Sequence, residues 1–182
     1  MLLTGLAPIV GPDARILILG SMPGAASLAQ RSYYAHPANG FWSLLGSVLD
    51  CEFPSDMEAR APLLIRRRIA LWDVVHRCRR SGSLDSAIER GSVEPNDLPG
   101  LLQQYRSIEH VFFNGTAAEM LYRRHLQARI DGIRPGLRCH RLPSSSPANA
   151  SWTRARKLAA WQVIAAALSG AASHRVTYDA RA

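Results

Sequence analysis

The chain has 182 residues, of which 47% are hydrophobic and 20% charged, so it is long enough for one domain with a sizeable core, and its composition excludes wholesale disorder. No apolar stretch approaches the roughly 20 residues that cross a bilayer, and residues 1–10 lack the positively charged start of a secretory signal, so we expect a soluble, cytoplasmic protein. The 22 Lys and Arg residues outnumber 14 Asp and Glu, which gives a net charge of +8, and an excess carried almost wholly by arginine favours a polyanionic partner.

Short apolar runs alternate with amphipathic stretches along the chain, and this pattern predicts strands separated by helices. Thr116 and Ser151 are candidate N-caps of the last two helices. In chain order, the predicted elements are a strand at Arg15–Leu19, a helix at Phe41–Leu49, a helix at Glu58–Arg68, a strand at Ile69–Val75, a helix at Asp97–Tyr105, a strand at His110–Phe113, a helix at Thr116–Leu126, a strand at Leu137–Leu142 and a helix at Thr153–Leu168.

Strands separated by helices imply parallel pairing through right-handed crossovers. We therefore expect an α/β fold, a three-layer α/β/α domain with a central four-stranded parallel sheet, over residues 1–168, followed by a flexible tail at 169–182. In open α/β sheets, ligands bind at the carboxyl ends of the strands. The polar segments expected at that edge are Gly20–Gly24, Asp73, Asn114-Gly115 and Ser144–Ser146.

Several kinds of site are excluded by missing motifs. The Gly20–Gly24 turn matches neither G-x-x-x-x-G-K-[ST] nor G-x-G-x-x-G, and the only lysine, Lys157, lies in the last predicted helix. No G-x-S-x-G elbow surrounds Ser144–Ser146, so these serines are not expected to be nucleophiles. The three cysteines are far apart and the histidines form no H-E-x-x-H motif, so we expect neither a metal nor a cofactor.

The segment 33–42 concentrates aromatic side chains beside a histidine and an asparagine. This composition suits stacking on a flat heterocycle, with Asn39 hydrogen-bonding a water or a polar edge. Two alternatives stay open: Phe41 and Trp42 are core residues at the start of a helix, and Asn39 is an N-cap of that helix. The second alternative gives Asn39 a structural role with no chemistry.

The runs Leu19–Gly24 (L-G-S-M-P-G) and Ala35–Trp42 (A-H-P-A-N-G-F-W) resemble the first motif region of the uracil-DNA glycosylase superfamily. The G-S-M-P-G form, with two tyrosines before His-Pro, is most similar to the hypoxanthine-DNA glycosylase branch, family 6. Three later segments, Ile69–Val75, Val111–Gly115 and Leu142–Asn149, match the superfamily's other motifs in order.

Departures from the motifs bear on the mechanism. Met22 stands where other branches carry a water-positioning asparagine or an aspartate, and Leu142 stands where the family-1 type has a catalytic histidine. The four cysteine ligands of the iron–sulfur branches are missing as well. By elimination and by resemblance to family 6, Asn39 is the predicted catalytic residue.

The resemblance implies an enzyme that flips a deaminated base, hypoxanthine preferred, out of damaged DNA and hydrolyses its N-glycosidic bond. Because the only lysine, Lys157, lies in the last predicted helix, we expect the enzyme to be monofunctional, and we expect it to be a monomer. Two alternatives remain: a uracil-DNA glycosylase acting on mismatched uracil, and a non-catalytic module that binds nucleic acid or a nucleotide. GC-rich codon usage would also explain the arginine excess.

The predicted base pocket is Gly20, Ser21, Met22, Pro23, Gly24, Tyr34, His36 and Asn114. The predicted DNA-binding residues are Ser144, Ser145, Ser146, Pro147, Ala148 and Asn149, of which residues 147–149 would form the wedge in the vacated stack.

Overall fold

A computed structural model describes residues 1–170, apart from the side chain of Met57. The predicted tail therefore lies almost wholly outside the described residues. The elements in chain order are β1 Leu2–Thr4, β2 Ile16–Gly20, α1 Ala25–Ala29, α2 Phe41–Leu49, α3 Met57–Arg66, β3 Ile69–Asp73, β4 Val75–Arg79, two 3-10 turns at Asp85–Ala87 and Arg90–Ser92, β5 Glu94–Pro95, α4 Leu98–Gln104, β6 His110–Asn114, α5 Thr116–His125, α6 Gln127–Ile133, β7 Arg138–Leu142, α7 Arg154–Trp161 and α8 Val163–Ser169.

The central sheet has four parallel strands in the order β3-β2-β6-β7, which confirms the predicted fold class. Gly20 at the end of β2 is in register with Asp73 at the end of β3. Asn114 at the end of β6 is in register with Leu142 at the end of β7. The carboxyl ends of all four strands therefore meet at one edge.

Alternating side chains of β2 build two apolar cores, one on each face of the sheet, because successive strand residues point to opposite faces. Ile16 and Ile18 pack in the cluster formed with α2, α3, α7 and α8. Leu17 and Leu19 pack in the cluster formed with α4, α5 and α6. The molecule thus has the three predicted layers. No helix within residues 1–170 is both long enough and apolar enough to span a bilayer.

A second, antiparallel sheet of order β1-β4-β5 was not predicted. The predicted strand Ile69–Val75 is wrong at its end, because the parallel strand stops at Asp73 and Val75 begins β4, which pairs with β1. The sequence of β4, V-H-R-C-R, buries only Val75 and Cys78, so it gives no apolar run. Met22 packs with these two residues in a third small core.

Other differences concern helix ends. The predicted helix Thr153–Leu168 is divided at Gln162 into α7 and α8. Ser151 is not its cap, since Thr153 accepts the hydrogen bond from the Arg156 N–H. Thr116 does not cap α5, because Gly115 occupies the N-cap position. The sequence pattern also missed α1 and α6, which are only five and seven residues long.

Candidate active site

One cavity of about 250 Å³ lies where the carboxyl ends of the parallel strands meet. It is smaller than the roughly 300–1,000 Å³ pockets of drug-sized ligands, so it suits a single heterocycle. A more open depression of about 490 Å³, beside β1, β4 and the second 3-10 turn, holds none of the predicted site residues. The predicted site residues that line the smaller cavity are Gly20, Ser21, Met22, Pro23, Gly24, Tyr34, His36, Asn39, Asn114, Ser144, Ser145, Ser146, Pro147 and Ala148.

Asn39 is held through its side-chain oxygen. Oδ1 accepts from the backbone N–H of Phe41 at 3.0 Å and from the hydroxyl of Ser145 at 2.9 Å. The first bond satisfies a backbone donor at the start of α2, so Asn39 does support that helix, although Gly40 occupies the N-cap position. The Asn39 side chain therefore both supports the start of α2 and lines the cavity.

A chain of hydrogen bonds fixes the orientation of the Asn39 amide. Asn114 Oδ1 accepts from the Ser145 N–H at 2.8 Å, and Asn114 Nδ2 donates to Ser145 Oγ at 2.9 Å. Having accepted that bond, the Ser145 hydroxyl donates its own hydrogen to Asn39. Backbone N–H groups can only donate, so they identify the oxygen of each amide. Within residues 1–170 no acceptor contacts Asn39 Nδ2, so this NH₂ group is available to a ligand.

Tyr34 supplies an aromatic ring to the cavity. The ring stacks on Phe41 with centroids 3.9 Å apart and planes inclined by 14°, which leaves only its opposite face for a ligand. The Tyr34 hydroxyl is buried, and no hydrogen bond of ordinary geometry reaches it within residues 1–170. Burial raises the pKa of this hydroxyl, and the Asn114 amide lies close enough to lower the pKa against that rise. Tyr33 instead donates its hydroxyl to the Ala7 carbonyl at 2.9 Å, and Phe41 and Trp42 are core residues, as the alternative interpretation predicted.

Asp73 places a buried carboxyl beside the Tyr34 hydroxyl. A Cβ atom on residue 20 would overlap Oδ1 of Asp73 and lie 3.0 Å from the hydroxyl of Tyr34, so the carboxyl needs a glycine at that position. Asp73 is 3% exposed. Burial raises the pKa of the Asp73 carboxyl from 3.8 to about 8; repulsion by Asp85 adds to the rise, and the Arg80 guanidinium opposes it. The group is therefore largely protonated at neutral pH.

Arg80 fixes the Gly20–Gly24 turn from behind. This residue, 3% exposed, follows β4 and donates to the carbonyl oxygens of Met22 at 3.3 Å, of Pro23, and of Gly82 at 3.1 Å. Since a guanidinium has five N–H donors, one side chain can satisfy several carbonyl groups of a tight turn. Arg80 thus rigidifies the Gly20–Gly24 turn. The turn was predicted from the sequence as part of the site, whereas Arg80 was not.

Asp85 brings a second carboxyl to the cavity. It lies in the first 3-10 turn and accepts a hydrogen bond from the Ser21 hydroxyl at 2.6 Å. The residue as a whole is exposed, but burial of its carboxyl raises the pKa, while Ser21 and Arg80 lower it. The sequence placed Asp73 at this edge of the sheet but not among the base-pocket residues, and it did not predict Asp85 in the site. The signal for Asp73 was a charged residue inside an otherwise apolar strand.

The loop after β7 is built by short-range hydrogen bonds. The Ser144 hydroxyl accepts from the Ser146 N–H at 3.2 Å, and the Ser146 hydroxyl accepts from the Ala148 N–H at 3.3 Å. Asn149 does not line the cavity; its Nδ2 donates to the Ser144 carbonyl at 3.2 Å. Pro147 and Ala148 are exposed at the tip of the loop.

His36 belongs to a tight turn at the rim of the cavity. Its Nδ1 accepts from the Ala38 N–H at 3.2 Å, and its carbonyl accepts from the Asn39 N–H at 2.8 Å. The first contact leaves the proton of a neutral ring on Nε2. His36 therefore helps to set the backbone that carries Asn39.

Comparisons with known proteins identify the family of this chain. The family model described as "Uracil DNA glycosylase superfamily" matches residues 7–167. A hypoxanthine DNA glycosylase of Methanosarcina acetivorans is 34% identical over 166 residues, 90% of this chain and 98% of the relative. One of Methanosarcina barkeri is 38% identical over 112 residues, 61% of this chain and 70% of the relative. A solution NMR structure from Methanosarcina acetivorans, assigned provisionally as a uracil DNA glycosylase, has a TM-score of 0.77 and 31% identity, covering 93% of this chain and 99% of its own. The chain belongs to the uracil-DNA glycosylase superfamily.

Proposed function

We propose that this protein is a DNA glycosylase that removes a deaminated base, hypoxanthine by preference, by hydrolysing the N-glycosidic bond after base flipping. The observation that carries the proposal is the Asn39 amide, held by Ser145 in a base-sized cavity. Two relatives that carry the name hypoxanthine DNA glycosylase support the choice of base. Flipping costs a few kcal/mol and least for a poorly paired base, which favours a deaminated base over a normal one.

Asn39 is the proposed catalytic residue. Its Oδ1 is occupied by two donors, so the group it can offer is the NH₂ donor Nδ2. An amide is too weak a base to take a proton from water. A positioned donor can, however, stabilise the negative charge that develops on a departing base. The geometry favours this role over the orientation of a water by Oδ1.

The flipped base would lie on the free face of Tyr34. Stacking between a base and an aromatic side chain is worth about 1–3 kcal/mol, and the opposite ring face is already supported by Phe41. Asn114 uses one N–H on Ser145, and its amide, which lines the cavity beside the Tyr34 hydroxyl, would contact the base edge. The backbone of Ser21 and Met22, in the turn held by Arg80, would contact the same edge.

The loop after β7 is the proposed grip on the DNA strand. The hydroxyls of Ser144 and Ser146 accept backbone N–H groups, so their O–H hydrogens remain free to bind phosphate oxygens. The exposed tip, Pro147 and Ala148, has the position and the apolar character of a wedge in the vacated stack. Asn149 would hold the tip through its bond to Ser144.

Lysine-dependent strand cleavage is not part of the proposed chemistry. A Schiff-base step needs a lysine at the reacting sugar, and Lys157 lies in α7 and does not line the cavity. We therefore propose a monofunctional enzyme that leaves an intact abasic strand. The monomeric state, the cytoplasmic location and independence of metal stay predictions, tested by size-exclusion chromatography, localisation of a tagged protein and assays in EDTA.

A panel of labelled duplexes containing hypoxanthine, uracil, xanthine or only normal bases tests the proposal, with hot alkali to cleave abasic sites. The proposal expects alkali-dependent cleavage fastest for hypoxanthine and none for the normal duplex. Faster cleavage at mismatched uracil would support the uracil-DNA glycosylase alternative. Binding without cleavage of any lesion would support the non-catalytic module.

A further inference from the structure

Asp73 is a buried carboxyl that the Asn39 chemistry leaves unused. It lines the cavity, it is 3% exposed, and its Oδ2 has no hydrogen-bond partner within residues 1–170. A buried carboxyl oxygen without a partner costs stability, and a catalytic role is one explanation for such a group. The adjacent strand β2 accommodates the Asp73 carboxyl, because only a glycine at position 20 leaves room for Oδ1.

The charged and titratable groups around Asp73 come from three segments. Asp85 in the first 3-10 turn repels a negative charge on Asp73, and Arg80 after β4 attracts one. Tyr33 and Tyr34, in the segment before α2, have hydroxyls whose ionisation is disfavoured by burial and by Asp73. Burial and Asp85 prevail over Arg80, so the pKa of Asp73 rises to about 8. A carboxylic acid that keeps its proton at neutral pH can donate that proton.

We propose that Asp73 is the proton donor to the departing base, an inference that rests on the proposed glycosylase function. Hypoxanthine without a proton leaves as an anion, whereas hypoxanthine protonated on a ring nitrogen or on its exocyclic oxygen leaves as a neutral molecule. Both residues line the cavity: Asn39 Nδ2 would donate a hydrogen bond to the base, and Asp73, which lies against Gly20 near the Tyr34 hydroxyl, would donate a proton. The two residues thus act on the same leaving group.

The step balances as a hydrolysis. The bond between the sugar carbon and the base nitrogen breaks, and its electron pair goes to the base. The proton moves from the Asp73 carboxyl to the base, which leaves a carboxylate. Water adds to the sugar carbon and releases one proton to solvent, and Asp73 takes one proton back from solvent. The net change consumes one water and yields the free base and an abasic sugar.

Single-turnover excision of hypoxanthine as a function of pH tests this role. Wild-type protein is expected to lose activity as the pH rises through about 8, because Asp73 then loses its proton. Asp73→Asn keeps the size and hydrogen-bond donation but cannot transfer a proton. We expect it to excise about 100-fold more slowly at neutral pH, the lower end of general acid catalysis, and to show no alkaline loss. Asp13→Asn, an exposed aspartate before β2 at the far edge of the sheet, should keep the wild-type profile.

Asp85→Asn is the second variant, since it leaves Asp73 in place. It removes a repulsion that raises the pKa of Asp73, so the alkaline loss of activity should move to lower pH. A merely structural Asp73 would not produce this shift. Thermal melts of both variants verify folding. Asp73→Asn with wild-type rate and profile, or an unmoved profile in Asp85→Asn, overturns the inference while the glycosylase function stands. Absence of excision by the wild-type protein overturns both.

Discussion

Asn39 supports the start of α2 and is the proposed donor to the leaving base. Measurements of stability and of excision rate separate these two roles. Asn39→Ala removes the proposed donor to the leaving base and should slow single-turnover excision by about 100-fold or more, the effect of losing one positioned electrostatic group. It also removes the acceptor for the Phe41 N–H, which should lower the free energy of unfolding by about 1 kcal/mol.

The matched control for Asn39 is Asp56→Ala. Asp56 accepts from the Glu58 N–H at 3.1 Å at the start of α3 and lies outside the cavity. It should lose similar stability and keep full activity. A folded Asn39→Ala protein with near-wild-type excision would contradict the assignment.

We expect removal of the hydroxyl from Tyr33 and from Tyr34 to change the stability of the protein in opposite directions. Tyr34→Phe removes a buried hydroxyl that has no partner within residues 1–170, so it should raise stability by about 1 kcal/mol. Tyr33→Phe removes a hydroxyl bonded to the Ala7 carbonyl and should lower stability by a similar amount. Urea unfolding curves of the two variants measure both signs. Equal signs would show that the Tyr34 hydroxyl is partnered in solution.

Asp73 also predicts how stability varies with pH. Its folded pKa, about 8, lies above the ordinary 3.8, so the folded protein holds a proton that the unfolded chain releases. Its contribution to the free energy of unfolding is therefore complete below about pH 4 and falls as the pH rises toward 8, by at most about 1.4 kcal/mol per pH unit. Asp73→Asn should flatten that decline in urea titrations, whereas Asp13→Asn should not. A decline of equal slope in Asp73→Asn would refute the raised pKa.

At the scale of elements, Gly115 links β6 to α5 and supports the loop after β7. Its φ of 103° lies in the region that favours glycine, and a Cβ there would lie 2.8 Å from the Ser144 Cβ. Gly115→Ala should lower stability by about 1–3 kcal/mol and impair lesion binding, because the backbone is strained and Ser144 is displaced.

Gly132→Ala is the control for that substitution. Gly132 lies within α6 with nothing within 4 Å of an added Cβ, so alanine should be neutral or stabilising by up to about 1 kcal/mol. Thermal melts and lesion-binding isotherms of the pair compare the two sites. Equal stability of the two variants would contradict the argument.

The sequence predicted those elements whose pattern of apolar residues indicates a buried strand or an amphipathic helix. Strand β2 is buried at every position, and α2 was predicted at its observed bounds. The second sheet was not predicted because β1 and β5 are three and two residues long and β4 buries only two of its five residues, with exposed polar side chains at the others. Pairing of such short strands depends on distant partners, which no local pattern reveals.

The same distinction holds for the site. Residues of the Gly20–Gly24 and Ala35–Trp42 motifs were found from sequence because they are contiguous. Asp85 and Arg80 were missed because their place depends on how the segment after β4 folds over the Gly20–Gly24 turn. Tertiary packing, rather than local propensity, brings these charges to the cavity.

At the scale of the whole molecule, the net charge of +8 predicts a salt-sensitive hold on DNA. Binding of the Asn39→Ala protein to undamaged duplex should weaken strongly between about 50 and 200 mM salt, because phosphate contacts release counterions. Arg156, exposed in the first turn of α7 with its guanidinium over Trp152 at 4.8 Å, is a candidate contact close to the loop after β7.

Arg156→Ala in the Asn39→Ala background should reduce the slope of log affinity against log salt by about 1. Arg129→Ala, at an exposed position of α6 on the opposite face of the sheet, should leave that slope unchanged. Fluorescence anisotropy at three salt concentrations compares them. Equal slopes would place the DNA elsewhere on the surface.

Direct detection of the free base tests whether the protein releases hypoxanthine from DNA. A hypoxanthine-containing duplex would be incubated with an excess of wild-type protein, and the mixture would then be filtered. The filtrate would be analysed for free base by liquid chromatography and mass spectrometry, and the abasic sites in the DNA strand would be counted by titration. We expect the wild-type protein to release free hypoxanthine in an amount equal to that of the abasic sites, and the Asn39→Ala protein to form neither product on the same timescale. A duplex that is bound yet yields no free hypoxanthine would contradict the proposed function.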